Sequence, residues 1–262
     1  MGVVIHPSSI VEAGAELGED VVVGPFCTVG PHVRIGSRTR LLSHVSIAGD
    51  TTIGSGAVIH PFAALGHPPQ DLRYRGERTR LAIGDDAVIR EHVTMHLGTP
   101  AGRGETRVGS RGFFMTGAHI GHDCIVGDNV VFANNATLGG FAEIADFVTM
   151  GGLSAVHQFG RIGAYAFIGG GAPVVGDVIP FGMVDNHGAL NGLNLIGLKR
   201  RGFSRESIHT LRGVYRELFF GSGLFEDRLS AISERLGEMR EVRMIAEFVR
   251  AGAKRPLCTP RP

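Results

Sequence analysis

Twelve histidines are spread along this chain, and they are densest in Ala118-His119-Ile120-Gly121-His122-Asp123-Cys124. A histidine followed by an aspartate suits proton abstraction: the imidazole takes the proton and the carboxylate orients it. Gly140 lies eighteen residues after His122. A glycine leaves its backbone N–H open to a group held beside the imidazole, as an oxyanion donor must be. His96 and His157 directly follow the apolar residues Met95 and Val156. A lone outward histidine is as readily a solvated surface residue, so these groups need an element that gathers them.

That element is written in a ladder of period six. Aliphatic or large apolar residues recur from Ile5 through Val11 and Leu17 to Leu65. They return at Ile83, Ile89 and Met95, and run again from Val108 through Phe114 and Ile120 to Val174. Twenty-six such rungs match neither the 3.6 of a helix nor the 2 of an ordinary strand. A fixed short period denotes a solenoid. Four residues after each rung the side chain is small or β-branched, as at Cys27, Ala63, Ala118, Cys124 and Ala142. One bulky and one small inward position per six residues suit flat walls, with glycines such as Gly24, Gly36 and Gly66 at the corners. Three flats close a coil of eighteen residues. At about 4.8 Å per coil the prism is roughly 40 Å long.

Used as a ruler, the ladder puts Ile120 and Cys124 inside, His122 and Asp123 outside, and Gly140 one coil above His122. It also breaks twice. Gln70 to Thr79 replaces two rungs and reads as a loop spanning two flats. Ala101 to Arg107 shifts the register by seven residues. Loops ejected from a rigid scaffold are common homes for binding residues.

With a net charge of +1, nothing argues for nucleic acid or a membrane surface as partner. No apolar run has the length of a membrane span, and no signal-peptide layout opens the chain. Three cysteines, two of them in inward slots, fit a reducing cytoplasm. The pattern changes near residue 188, dividing the chain into a prism over 1–187 and a helical domain over 188–262. Phe203-Ser204-Arg205-Glu206 reads as a hydrophobic staple and N-cap. Ile208, Leu211, Val214 and Leu218 follow at helical spacing, and Gly221-Ser222-Gly223 stops that helix. Leu229, Ile232 and Leu236 mark a second helix; Val242, Ile245 and Phe248 mark a third.

The ladder resembles the hexapeptide-repeat proteins, whose fold is a left-handed parallel β-helix, an exception to right-handed crossovers. More specifically, four stretches resemble the acyl-carrier-protein-dependent UDP-N-acetylglucosamine O-acyltransferase family of lipid A and lipopolysaccharide synthesis. They are His119 to Cys124, Ala133-Asn134-Asn135-Ala136-Thr137-Leu138, Ala155-Val156-His157-Gln158-Phe159 and Gly197 to Arg205. The likeness extends over essentially the whole chain, including Pro69-Gln70-Asp71-Leu72. It implies a cytoplasmic homotrimer with sites between subunits, which suits a prism whose filled interior offers no pocket. It implies His122 as base for the sugar 3-hydroxyl, Asp123 as its polarising partner and Gly140 as oxyanion donor. Asp71, Arg73, His96, His119 and Gln158 match positions lining the sugar-nucleotide site, beside His157. Asn194 and Arg200 match nucleotide and phosphate contacts. Gly170 matches a position where side-chain size limits acyl length. No metal or resident cofactor is implied, and no stable membrane anchor; the acyl group arrives on the phosphopantetheine of acyl-carrier protein.

Three positions depart from the family pattern. Phe141 stands for a histidine, Ile196 for a glutamate, and Arg73 for a lysine, which keeps the charge but changes its shape. They leave the acceptor open between the 3-hydroxy sugar and a 3-amino sugar that would be N-acylated. An acetyl-CoA-dependent hexapeptide sugar acetyltransferase would share the prism without needing these stretches. A zinc-dependent carbonic anhydrase on the same prism would need three converging imidazoles, for which His92, His96, His119 and His122 are available. A non-catalytic scaffold would be indifferent to loss of His122. The cluster Lys199, Arg200, Arg201 and Arg205 reads either as a carrier and phosphate dock or as a solvated helix start.

Overall fold

The structure, a computed structural model, describes residues 2–252 and 255–261. Met1 and Pro262, at the ends of the stretches read above, lie outside the described residues. Every rung of the ladder falls in a short strand, and the strands stack into three walls. Within a wall the pairing is parallel and steps by one coil, for example Val131 on Thr149, Thr137 on Ala155 and Glu143 on Arg161. The chain visits the first, second and third walls in turn, so the six-residue period is one wall and one corner.

The interior follows the two inward positions. Rungs such as Ile59, Ile89, Ile120 and Leu138 and companions such as Ala57, Ala118, Cys124 and Ala136 are fully buried. Ile5 is exposed and Val11 and Leu17 half-buried, because the first coil has no coil beneath it. Burying a Val, Leu or Ile side chain is worth about 1.5–3 kcal/mol, so the stacked rungs hold the prism together.

Glycine has a different place at the corners from the one the ladder suggests. The glycine after a rung is required by close approach: a Cβ at Gly121 would stand 2.8 Å from the Leu138 carbonyl oxygen of the next coil. The left-handed backbone conformation falls two residues later, usually on a residue with a side chain. Asp123, Phe141 and Phe159 have φ of 59°, 64° and 65°. Such angles cost L-residues about 1–2 kcal/mol each, and here corner side chains stack on the coil above, as Phe141 does on Phe159 at 4.7 Å.

The two ladder breaks are also differently built. No flat is lost at the first. The chain leaves the second wall after Ala64–His67 and enters the third wall at Arg80–Ile83, so residues 68–79 are an addition at a corner. The second excursion is 97–104, since Glu105–Val108 already pairs in the third wall. Both loops leave from the corner between the second and third walls, in successive coils.

Beyond the last coil, Gly182–Val184 extends the first wall and pairs antiparallel with Leu190–Leu193. Four helices follow among the described residues: α1 Leu195–Arg200, α2 Arg205–Phe220, α3 Phe225–Leu236 and α4 Arg240–Arg250. Ser204 caps α2 by accepting from Ser207 N–H, and Gly221 closes it. Ile208, Leu211, Val214 and Leu218 of α2 bury against Leu229 and Ile232 of α3 and Val242 and Ile245 of α4. Helix α1 carries no periodic apolar signal in six residues; Asn194 starts it by accepting from Gly197 N–H. The tail returns to the prism: Asp177 N–H donates to Pro256 O at 2.8 Å and Cys258 N–H to Asp177 O at 2.7 Å. No helix of the described residues is long and apolar enough to cross a membrane.

Candidate functional site

The corner that ejects both loops carries His122 and Asp123 in the next coil. Gly140 and Phe141 follow one coil higher, then Gln158 and Phe159. Phe141 N–H donates to His122 O at 2.9 Å and Phe159 N–H to Gly140 O at 3.1 Å, which locks the column. Eighteen-residue spacing in the sequence thus becomes vertical adjacency.

His122 Nδ1 lies 2.8 Å from Asp123 Oδ2. The imidazole is about one-sixth exposed and the carboxylate fully buried. The outward placement of Asp123 is therefore corrected. Loop 97–104 wraps it: Thr99 Oγ1 donates at 2.6 Å, Thr99 N–H to both oxygens at 3.1 Å, and Arg103 N–H at 2.7 Å. A Cβ at Gly102 would come within 2.6 Å of all three carboxyl-group atoms, so the loop closes this tightly only with glycine there. Burial alone would raise the Asp123 pKa, but the bonds from His122, Thr99 and Arg103 hold it below the usual value. An ionised Asp123 accepts from Nδ1–H and leaves Nε2 as the basic nitrogen. Thr99, Arg103 and Thr106, whose Oγ1 accepts from Asp123 N–H at 2.8 Å, had no individual signal in the sequence. The register slip just before His122 was the clue to them.

Gly140 packs on the imidazole. A Cβ there would stand 2.6 Å from His122 Cε1 and Nε2, and among the described residues its N–H has no acceptor. Cys124 is not a competing nucleophile. Burial pushes its thiol up to about 12.

His96 and His119 flank the base on the second wall, ring centroids 4.9 Å apart. Thr94 Oγ1 lies 2.7 Å from His119 Nδ1, whereas His96 Nδ1 is buried with no hydrogen-bond partner among the described residues. Burial, then the neighbouring imidazoles of His119, His67 and His122, lowers His96 to about 4. Burial also lowers His119. Between about pH 6.5 and 4 the unfolded chain takes up a proton at residue 96 that the folded chain refuses. Stability is therefore intact above that window and falls as pH drops through it, by up to about 3 kcal/mol from His96. Denaturant midpoints measured from pH 7 to 4 are expected to show this loss, and His96→Gln to shrink it. An unchanged slope in the variant would assign the loss elsewhere.

From the first loop, Asp71 reaches the electrostatic range of His122. Arg73 grips Asp71 through Nε at 3.0 Å and Nη2 at 2.7 Å. Those bonds hold the Asp71 carboxyl well below the usual range. His157 and Gln158 are exposed at the top of the same corner. His92 is on a different corner, stacked on Phe62 at 5.1 Å. Among the described residues no three His, Cys, Asp or Glu side chains, His96, His119 and His122 included, are grouped so as to hold a metal ion.

Three predicted residues are elsewhere on the chain. Asn194 and the exposed Arg200 border a groove on the first wall with Phe147, Thr149, Phe167 and Met183. In a three-walled prism that wall is opposite the second-to-third corner. Gly170 is on the first-to-second corner, where a Cβ would meet only Gly152 O at 3.4 Å.

Comparison with known proteins gives consistent results. Residues 177–258 match the family described as UDP-N-acetylglucosamine O-acyltransferase, domain 2, and residues 105–140 match the bacterial transferase hexapeptide (six repeats). The acyl-[acyl-carrier-protein]–UDP-N-acetylglucosamine O-acyltransferase of Caulobacter vibrioides is 56% identical over 257 residues, covering 98% of either chain. That of Azorhizobium caulinodans is 53% identical over 98% of this chain and 95% of its own. The crystal structure of UDP-N-acetylglucosamine O-acyltransferase from Moraxella catarrhalis superposes with a TM-score of 0.93 at 39% identity, covering 97% of this chain and 99% of that one. The Francisella novicida UDP-N-acetylglucosamine acyltransferase gives 0.94 at 34% identity, covering 98% and 94%.

Proposed function

This chain belongs to the acyl-[acyl-carrier-protein]–UDP-N-acetylglucosamine O-acyltransferase family, and we propose that it does its chemistry at the second-to-third-wall corner with His122 as base. It is an acyltransferase built on a left-handed parallel β-helix, and it acylates UDP-N-acetylglucosamine from acyl-carrier protein, the opening step of lipid A synthesis. The observation that carries the site is the His122–Asp123 pair at 2.8 Å under the open Gly140 N–H.

Nε2 of His122 takes the proton of the sugar 3-hydroxyl as its oxygen attacks the thioester carbonyl. The carbonyl oxygen gains charge and accepts from Gly140 N–H. Collapse breaks the C–S bond, and the departing pantetheine thiolate recovers the proton from the imidazolium. A positioned base supplies about 10²–10⁴-fold and an oxyanion donor about 10²–10³-fold. Holding two substrates in register must supply much of the remainder. Asp71, Arg73, His96, His119, His157 and Gln158 line the acceptor's place, and no resident cofactor takes part.

The opposite placement of Asn194 and Arg200 supports a homotrimer. These residues serve the same nucleotide only when a neighbouring prism turns its first wall to this corner. The working protein is then a cytoplasmic trimer with three sites between subunits. Its carrier docks by charge: residues 188–262 hold fourteen Lys and Arg against eight Asp and Glu, whereas 1–187 hold twelve against seventeen.

The open space at Gly170 favours a long acyl chain. Relative rates with 3-hydroxyacyl carriers of graded length are expected to favour chains longer than a ten-carbon one. Gly170→Met is expected to move the optimum shorter. A wild-type optimum at the shortest chain would refute the assignment of Gly170.

A further inference from the structure

The C-terminal tail delivers a cation to the top of the reactive corner that the chemistry above does not use. Arg255 Nη2 donates to His157 Nδ1 at 2.6 Å, and Nε donates to Gln158 O at 3.3 Å. The tail is tied at this point by Asp177, which bonds both Pro256 O and Cys258 N–H, and by Thr259 O, which accepts from Leu190 N–H at 3.1 Å. Cys258 is buried, its Sγ 2.9 Å from Gly188 O. Arg255 is thus presented by an anchored segment.

Its charge stands out among the neighbouring cations. Arg161 is paired with the buried Asp177 at 2.7 Å, Arg103 with Glu143, and Arg73 with Asp71. Among the described residues no carboxylate pairs with Arg255. Its contacts are with an exposed imidazole and a carbonyl oxygen, and both use the Nε–Nη2 edge. The Nη1–Nη2 end has no bond to Nη1 among the described residues, and that end is the fork that grips a phosphate with two donors.

We propose that Arg255 is a phosphate-binding residue of this site. The position favours the diphosphate of the sugar nucleotide. Gln158 is two coils above His122, about 10 Å at the spacing between coils. A sugar whose 3-hydroxyl meets His122 carries its diphosphate on C1, two ring carbons from C3, and the ring together with the diphosphate gives a reach of that order. The other phosphate that comes to this corner is the phosphodiester of the carrier's pantetheine arm. The assignment rests on the proposed function, because it takes His122 as the point where the sugar is anchored.

Initial rates of wild type, Arg255→Ala and Arg255→Lys, each substrate varied in turn, test it together with calorimetric binding of UDP and of uridine. Arg255→Ala is expected to raise the KM for the sugar nucleotide roughly ten- to hundredfold, the loss of a charge-assisted bond. Its kcat is expected to stay near wild type, since binding is lost equally before and in the transition state. UDP affinity should fall by a similar factor while uridine affinity holds, and Arg255→Lys should recover part of it. A rise confined to the carrier KM supports phosphate binding with the pantetheine phosphodiester as its source. Wild-type KM values for both substrates in Arg255→Ala overturn the proposal. So does an equal loss of UDP and uridine affinity with a lowered melting midpoint, which makes Arg255 a tail anchor. A wild-type protein that binds neither UDP nor the sugar nucleotide overturns the functional reading first, and is recognised before any variant is made.

Discussion

His122→Ala lowers kcat by about 10²–10⁴-fold, with a melting midpoint near that of wild type. The imidazole is on the corner of the prism, outside the stacked rungs, so its loss opens no cavity in the core. Gly140 packs on the ring and gains space when it goes. The KM values are expected to move little, because Asp71, His96, His119 and Gln158, proposed to line the acceptor's place, are left unchanged. A change in kcat rather than KM is the signature of a group that acts in the transition state. Product formation by the purified variant checks this; wild-type turnover would leave the corner as a scaffold.

Asp123→Asn is expected to cost nearly as much turnover and, unlike His122→Ala, to cost stability. The carboxylate accepts from Nδ1–H of His122, from Thr99 Oγ1–H and N–H, and from Arg103 N–H. An amide can accept on one side only, and its NH₂ then faces a donor. If the NH₂ meets loop 97–104, the loop is repelled. If it meets His122, the ring reverses its tautomer and Nε2 carries the proton, leaving no base toward the substrate. The same exchange in a serine-protease triad drops kcat about 10⁴-fold, and about 10²–10⁴-fold is expected here. A fully buried donor left unpaired costs about 1–3 kcal/mol, readable in the denaturant midpoint. Unchanged kcat with lowered stability would make Asp123 an anchor for the loop alone.

Much of this was legible in the amino-acid sequence. The ladder depends on one interaction, burial of one bulky and one small side chain per wall, and burial writes itself as period. It therefore located the walls, the inward pair Ile120 and Cys124, and Gly140 above His122. The partners of Asp123 were not legible, because a loop's closure on a carboxylate depends on backbone N–H groups that every residue carries. Only the Thr99 hydroxyl and the need for glycine at 102 leave a trace in residue type. The ladder also counts positions without saying which side of a corner a side chain takes, so Asp123 read as outward when it is buried. Resemblance supplied Asn194 and Arg200 as site residues. Their place on the wall opposite His122 emerged only from the strand pairing, and it turns a list of residues into an argument for a neighbouring subunit.

The most direct measurement is mass spectrometry of the product formed from UDP-N-acetylglucosamine and a mixture of 3-hydroxyacyl carriers, run in parallel with wild type and His122→Ala. The expected result is a sugar nucleotide bearing one 3-hydroxyacyl group in ester linkage at O3, made by wild type and nearly absent with the variant. Acetylation from acetyl-CoA with no use of the carriers, or equal product from His122→Ala, would contradict acyl transfer by His122 at this corner.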